Sequence, residues 1–301
     1  MKSFGHKLKS FLSSNRQSLE NSFPGINLRS LTNAYFDFSG RSFGDAHVMS
    51  VDERNNLEKF LSRVIDGVPF SYITNKAHFY GLDFYVNESV LIPRFETEVL
   101  VEECLRYISK SKKESISLLD VGVGSGCVGL TILSEAKDKV ISLCGTDISE
   151  SALEVANNNK LKLEYKIPRK SSVDFILSDR LDGVRDRRFD FIVSNPPYIK
   201  LNEDRKLVHH QVSSFEPELA LFLEDESYDS WFEKFFRQVY ECLNNDGVFL
   251  MEGHENHLNR LERLAIDLGF KDTSLKNDLT GRLRLLTLRK GKKVDYGKFN
   301  Y

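Results

Sequence analysis

Hydrophobic positions change their period along the chain, and each change marks a different kind of structure. The first 75 residues read as helical. The clearest element is SVDERNNLEKFLSRVIDG, where Leu57, Phe60, Leu61, Val64 and Ile65 fall on one helical face. Ser50 and Glu53 have capping-box spacing at its start, and Gly67 supplies a C-terminal stop. The next stretch, HFYGLDFYVNESVLIPRFETEVLVEECL, alternates aromatic and aliphatic residues around Asp83 and Asn87, which predicts a short hairpin; Pro93 then precedes a helix.

From residue 116 the rhythm becomes strand, helix, strand, helix. ISLLDVGV, KVISLCGTD, VDFILSD, RFDFIVSN and GVFLMEG are apolar runs of strand length, with RLRLLTLRK as a late strand. SGCVGLTILSEA, a segment starting near Ser149, SWFEKFFRQVYECL and NHLNRLERLAIDLG carry helical periodicity. This alternation predicts an α/β fold with an open, mostly parallel sheet and helices on both faces. The expected organisation is a helical domain over 1–75, a hairpin linker over 76–95, a catalytic domain over 96–290 and a basic tail over 291–301.

Composition narrows the class. The chain has 301 residues, is 41% hydrophobic and 29% charged, and balances 42 basic against 44 acidic residues for a net charge of −2. Such a balance gives no general pull toward nucleic acid. Four scattered cysteines without a CxxC pair fit a reducing compartment, so the cytoplasm is the expected location. No run of about 20 apolar residues predicts a membrane span. The basic N-terminus lacks the apolar core of a signal peptide.

Ligands on open parallel sheets bind outside the carboxyl ends of the strands, so those ends are where chemistry is sought. The first gives DVGVGSGCVG, in which Gly122, Gly124 and Gly126, with Val123 and Ser125 between them, let the backbone turn tightly beside a ligand. Cys127 stands where the dinucleotide fingerprint requires Gly or Ala, which disfavours a dehydrogenase. The second ends in Asp147, 25 residues beyond Gly122, placed to accept hydrogen bonds from both hydroxyls of a ribose. The third ends in Asp179, a candidate acceptor for an adenine amine, and Arg180, a candidate for packing on the ring. The fourth runs into VSNPPYI, where Pro196 and Pro197 stop the strand behind Asn195 and before Tyr198.

DVGVGSG, GTD, SD and NPPY, in that order, resemble the motif series of class I S-adenosylmethionine-dependent methyltransferases. NPPY, as a form of (D/N/S)PP(Y/F), is associated with methylation of a planar nitrogen. GVPFSYI, HFYGLDFYV, LIPRFETEVLVEECL and FEPELAL further resemble segments of the HemK/PrmC protein-glutamine methyltransferases, which modify peptide chain release factors; the likeness runs from about Asp66 to Leu288. The resemblance implies S-adenosyl-L-methionine as cofactor, with S-adenosyl-L-homocysteine as product. It also implies class 1 release factors as substrate, methylated on the glutamine of their GGQ motif.

A carboxamide nitrogen is a poor nucleophile, so acceptors must hold its two hydrogens in place. Asn195 offers its side-chain oxygen and Pro196 its carbonyl, while the fixed φ angles of Pro196 and Pro197 keep these acceptors aimed. Tyr198 is expected to pack over the amide and the transferring methyl. Glu216, in the long segment from Lys200 to Tyr228, is expected either to fix that loop as a substrate-facing lid or to meet the substrate backbone. Three features depart from the family: Phe95 in place of the proline of RPETE, Arg180 where an aromatic or aliphatic residue is usual, and Glu252-Gly253-His254 with two residues of an E-x-G segment exchanged.

No metal site is expected. His254 and His257, and the adjacent His209 and His210, have no convergent carboxylate or cysteine set in the sequence. Two other readings compete with a glutamine methyltransferase acting as a monomer: methylation of an exocyclic base amine in DNA or RNA, and a binding module on a catalytically dead methyltransferase fold.

Overall fold

The computed structural model describes residues 3–291; the basic tail foreseen over 291–301 lies outside the described residues but for Gly291. Four helices open the chain: α1 (Phe4–Ser22), α2 (Leu28–Ser39), α3 (Val51–Ile65) and α4 (Phe70–Thr74). The α3 capping box forms as its sequence predicts, with Glu53 N–H donating to Ser50 Oγ at 3.2 Å and Ser50 N–H to Glu53 Oε2 at 2.8 Å. Leu57, Phe60 and Val64 are buried, but Ile65 is 41% exposed. It is the last residue of α3, where the adjacent Val64 takes the buried position. Gly67 takes a φ of +80°, as expected of a residue just beyond a helix end.

The linker hairpin pairs β1 (Ala77–Phe79) with β2 (Leu82–Phe84). Its turn is Tyr80-Gly81, both at positive φ, so the short hairpin expected in this segment is present. Asp83 lies inside a strand, opposite His78. Glu98, at the start of α5 (Glu98–Lys110), accepts the Tyr80 N–H at 2.8 Å and steadies that turn.

The remaining elements are β3 (Ser115–Val121), α6 (Cys127–Glu135), β4 (Val140–Asp147), α7 (Glu150–Lys162), β5 (Ser172–Leu177), β6 (Phe189–Ser194), β7 (Ile199–Lys200), α8 (His210–Phe215), α9 (Glu218–Leu221), β8 (Phe222–Leu223), α10 (Tyr228–Cys242), β9 (Leu243–Glu252), α11 (Leu258–Asp267), β10 (Asp272–Asn277) and β11 (Leu283–Arg289). Seven strands form one sheet in the order β10-β11-β9-β6-β3-β4-β5. The five from β9 to β5 run parallel; β11 is antiparallel to both β9 and β10. The fold is the mostly parallel α/β class that the sequence predicts. Strand β10 was not legible because it is a sheet edge: DTSLKN carries polar residues where a buried strand would be apolar.

Packing explains where the site sits. One core fills the face carrying α5 and α6, including Leu100, Cys104, Leu118, Leu130 and Leu133. The other, beneath α10 and α11, is rich in rings, with Phe232, Phe235, Phe236 and Phe249 in mutual contact. The order of β3 beside β6 and β4 places the switch in winding direction between β3 and β6, so a crevice opens at the carboxyl ends of β3, β4, β5 and β6. The core of the N-terminal helices reaches across the linker to Val86, Val90 and Ile92 and touches Ala152 and Val155 of α7, so the helical unit packs beside that crevice.

Candidate active site

The glycine loop after β3 is held from behind. Gly122 and Val123 donate backbone N–H groups to the Thr146 carbonyl at 2.8 and 2.9 Å, stitching the loop to the end of β4. Gly122, Gly124 and Gly126 all take positive φ, which a side chain would strain. Asn159 of α7, fully buried, donates to the Ser125 and Tyr85 carbonyls at 2.8 Å each and accepts the Tyr85 N–H, so one amide side chain ties the loop to the linker. Gly145 permits the close approach of β4: an added Cβ would lie 2.7 Å from the Phe175 ring and 2.9 Å from Val123.

These strand ends surround a cavity of about 230 Å³. Gly122, Val123, Gly124, Ser125, Asp147, Asp179, Arg180, Asn195, Pro196 and Pro197 all line it. Gly126 does not; its place is the turn into α6. The Asp147 carboxylate accepts Gly124 N–H at 2.8 Å and Ser149 N–H at 3.0 Å, so the acid and the loop form one unit. Burial pushes the Asp147 carboxyl above its usual range, against those backbone donors.

Arg180 adopts a φ of +51° and donates to Asp179 at 2.8 Å, with its guanidinium 4.9 Å from the Trp231 ring centre. Its partner ring is therefore Trp231 of α10, a cavity-lining residue that sequence reasoning missed because it lies 51 positions away on a helix read as purely structural. The Arg180 Nε is buried without a hydrogen-bond partner, as is Ser125 Oγ, so the wall presents unsatisfied polar atoms of a kind that a polar ligand would meet.

A smaller cavity of about 140 Å³ adjoins the first, and Leu91, Arg94, Asn195, Pro196 and Ala220 line both. Tyr198 lines only the smaller one, beside Ile199, Val212 and Leu221. Its hydroxyl donates to Glu252 Oε1 at 2.9 Å, and burial raises the phenol well above its usual value, so it stays neutral. Asn195 Nδ2 donates to Thr97 Oγ1 at 3.2 Å, and Thr97 in turn donates to Glu252 Oε2 at 2.6 Å.

Glu216 is placed away from both cavities. Its buried carboxylate accepts Ile92 N–H at 3.0 Å and pairs with Arg94, contacts that anchor the 200–228 segment to the linker. Gln211 extends this attachment by donating to the Gly67 carbonyl at 2.7 Å. Phe95, the departure from RPETE, is 74% exposed.

Asp120, Thr97, Arg94 and Glu252 were also missed. Asp120 lines the main cavity, accepts Gly129 N–H at 2.8 Å, and is pushed up to about 8 by burial. It sits inside the DVGVGSG motif and was read as ordinary strand. The carboxylate that the histidine pair lacked in sequence is Asp204: His257 and Asp204 meet at 2.7 Å, both buried, with His254 beside them and one ligand atom from each within 4.8 Å of the others.

Comparison with known proteins decides the family. The Methyltransferase small domain model matches residues 97–219. A release factor glutamine methyltransferase of Flavobacterium psychrophilum is 34% identical over 231 residues, 76% of this chain and 78% of the relative. One from Koribacter versatilis is 38% identical over 68% of this chain and 69% of its own, and one from Bacteroides thetaiotaomicron is 30% identical over 90% and 96%. The chain belongs to the release factor glutamine methyltransferases. As a member of that family it is an S-adenosylmethionine-dependent enzyme of the class I methyltransferase fold. The polar groups present suit such a cofactor: the Asp147 carboxylate at the end of β4 is an acceptor of the kind a ribose needs, Asp179 and Arg180 after β5 offer an acceptor and a donor for a base, and buried Asp120 lines the same cavity.

Proposed function

We propose that the protein transfers a methyl group from S-adenosyl-L-methionine to the side-chain amide nitrogen of the glutamine in the GGQ motif of class 1 peptide chain release factors. The observation that carries this reading is the junction of the two cavities at Asn195 and Pro196. The larger has the donors for a nucleoside. The smaller, about 140 Å³, is bordered by Tyr198 and shares Asn195 and Pro196 with the larger.

When bound, the cofactor supplies a methyl group on a positively charged sulfur. Asn195 Oδ1 and the Pro196 carbonyl are acceptors for the two N–H bonds of the substrate amide, which orients its nitrogen lone pair toward the larger cavity. Pro196 and Pro197 hold that geometry because neither φ can relax. Tyr198, kept neutral, covers the amide plane and excludes water. Buried Glu252 is committed to Thr97 and Tyr198 and is not free to act as a base; the proton departs to solvent as the methyl arrives. Gly122 to Gly126, Asp147, Asp179 and Arg180 serve the cofactor.

The same reading makes the enzyme a cytoplasmic monomer, with the N-terminal helices helping to grip the release factor. Among the described residues no helix is long and apolar enough to cross a membrane. A radiolabelled methyl-transfer assay tests the reading by offering release factor, its GGQ Gln→Ala variant, bulk tRNA, rRNA and DNA. Label on wild-type release factor alone is expected. Label on nucleic acid alone would overturn it in favour of a base-amine methyltransferase, for which the net charge of −2 gives little support.

A further inference from the structure

We propose that Thr97 and Glu252 are positioning residues that decide which end of the Asn195 carboxamide faces the substrate, and that the same Glu252 carboxylate fixes Tyr198. This rests on the reading of Asn195 as the holder of the substrate amide. An asparagine side chain has an acceptor end and a donor end of nearly equal shape, so packing alone cannot choose between them. Hydrogen-bond direction can. Both Glu252 oxygens accept, Oε2 from the Thr97 hydroxyl at 2.6 Å and Oε1 from the Tyr198 hydroxyl at 2.9 Å, so the Thr97 proton is committed to Glu252. With its one proton spent, Thr97 Oγ1 can only accept from Asn195, and the atom at 3.2 Å must be the nitrogen.

The consequence is that Asn195 Oδ1 points away from Thr97, toward the two cavities that Asn195 lines. The site is thereby wired to accept: it selects a substrate that presents N–H donors and rejects one presenting a carbonyl oxygen. Glu252 Oε1 meanwhile takes the Tyr198 hydroxyl at 2.9 Å, so a single carboxylate, 2% exposed at the end of β9, sets both substrate-side residues of NPPY. The three parts come from distant segments: Thr97 opens α5, Asn195 follows β6, and Glu252 ends β9. None of them needs to touch the reacting atoms except Asn195.

The test pairs Thr97→Val, which keeps shape and removes the hydroxyl, with Thr97→Ser, which keeps the hydroxyl. Turnover on release factor is measured alongside S-adenosylhomocysteine affinity, and the side-chain amide resonances of Asn195 are followed by NMR in protein without substrate. Thr97→Val is expected to lower kcat about tenfold to a hundredfold, leave cofactor affinity within about twofold, and shift the Asn195 side-chain amide signals; Thr97→Ser should restore all three. If Thr97→Val fails to fold, Glu252→Asp, which retracts the carboxylate while keeping its charge, carries the same expectation. Wild-type kcat in Thr97→Val, Asn195 amide signals unchanged by it, or a Thr97→Ser variant as impaired as Thr97→Val would each overturn the proposal. Absence of turnover on release factor by the wild type would defeat the substrate reading, and the NMR comparison would still decide the relay.

Discussion

Replacing Asp147 by asparagine tests its proposed place in the cofactor site together with its hold on the glycine loop. The carboxylate holds Gly124 N–H at 2.8 Å with one oxygen and Ser149 N–H at 3.0 Å with the other, leaving its remaining lone pairs for a ligand in the cavity it lines. Asparagine has a single oxygen. Whichever way it turns, its NH₂ opposes one of the two backbone donors, so the variant loses a loop contact as well as an acceptor for the ribose. A hydrogen bond to a charged group contributes about 1.5–3 kcal/mol, and the displaced loop adds to that, so the combined loss is about 3 kcal/mol, or on the order of a hundredfold in Kd. Calorimetric titration with S-adenosylhomocysteine near neutral pH measures it, with far-UV circular dichroism as the control for folding. The direction of the pKa shift adds a second readout: burial lifts the Asp147 carboxyl, so wild-type affinity should fall on acidification sooner than for an exposed aspartate, and the asparagine variant should lack that fall. A Kd within about threefold of wild type in a folded Asp147→Asn protein would refute the assignment of Asp147 to the ribose.

Asn195→Ala is expected to reduce kcat at least a hundredfold, to roughly the extent that loss of a preorganised polar group does elsewhere, with S-adenosylhomocysteine affinity changed far less, as single-turnover and binding measurements would report. Glu216→Ala leaves Arg94 and the Ile92 N–H without their buried acceptor and should cost about 2 kcal/mol in denaturant unfolding, loosening the 200–228 segment to proteolysis. Gly145→Ala forces a methyl against Phe175 and Val123 and should destabilise by about 1–3 kcal/mol while weakening cofactor binding through displaced Val123. The raised Asp120 carboxyl favours folding only in its neutral form: its contribution is fully present below about pH 4 and is lost as pH rises toward its folded value of about 8. Asp120→Asn should therefore flatten the decline in unfolding free energy over that window, and an unchanged slope would remove Asp120 as its cause.

What was legible in the sequence was whatever depends on neighbours along the chain. Helix α3 announces itself through a capping box and a repeating apolar face, both fulfilled within a few residues of where they are written. The inner strands β3, β4 and β6 are runs whose burial demands apolar residues, β5 keeps an apolar pattern although it is a sheet edge without a buried residue, and the strand-end positions of Gly122, Asp147, Asp179 and Asn195 follow from the rule that ligands bind outside the carboxyl ends of parallel strands. Local order also misled. Tyr80-Gly81 makes the hairpin turn with both residues at positive φ, and because tyrosine rarely adopts that region its place in the turn, held by Glu98 from α5, is not written in the local sequence. Ile65 was placed on the apolar face and is 41% exposed, because of the two adjacent apolar residues at the end of α3 it is Val64 that turns into the core.

Tertiary structure alone decided the contacts made between segments remote in sequence. Trp231 reaches Arg180 because α10 packs beside the end of β5, Asp204 completes the cluster with His254 and His257 because a loop folds onto the end of β9, and Glu216 is claimed by Arg94 and Ile92 across 122 and 124 positions. Thr97 and Glu252 each lie in a family-like segment, but their contact exists only because 155 positions of chain close to 2.6 Å. The sequence by itself determined which chemistry this protein carries, because the motif residues are recognisable by type at the ends of runs that their own apolar pattern marks as strands. Only the tertiary structure decided how those residues are aimed, because the direction of a hydrogen bond is set by the partner's position in space, and that position depends on packing that no local pattern encodes.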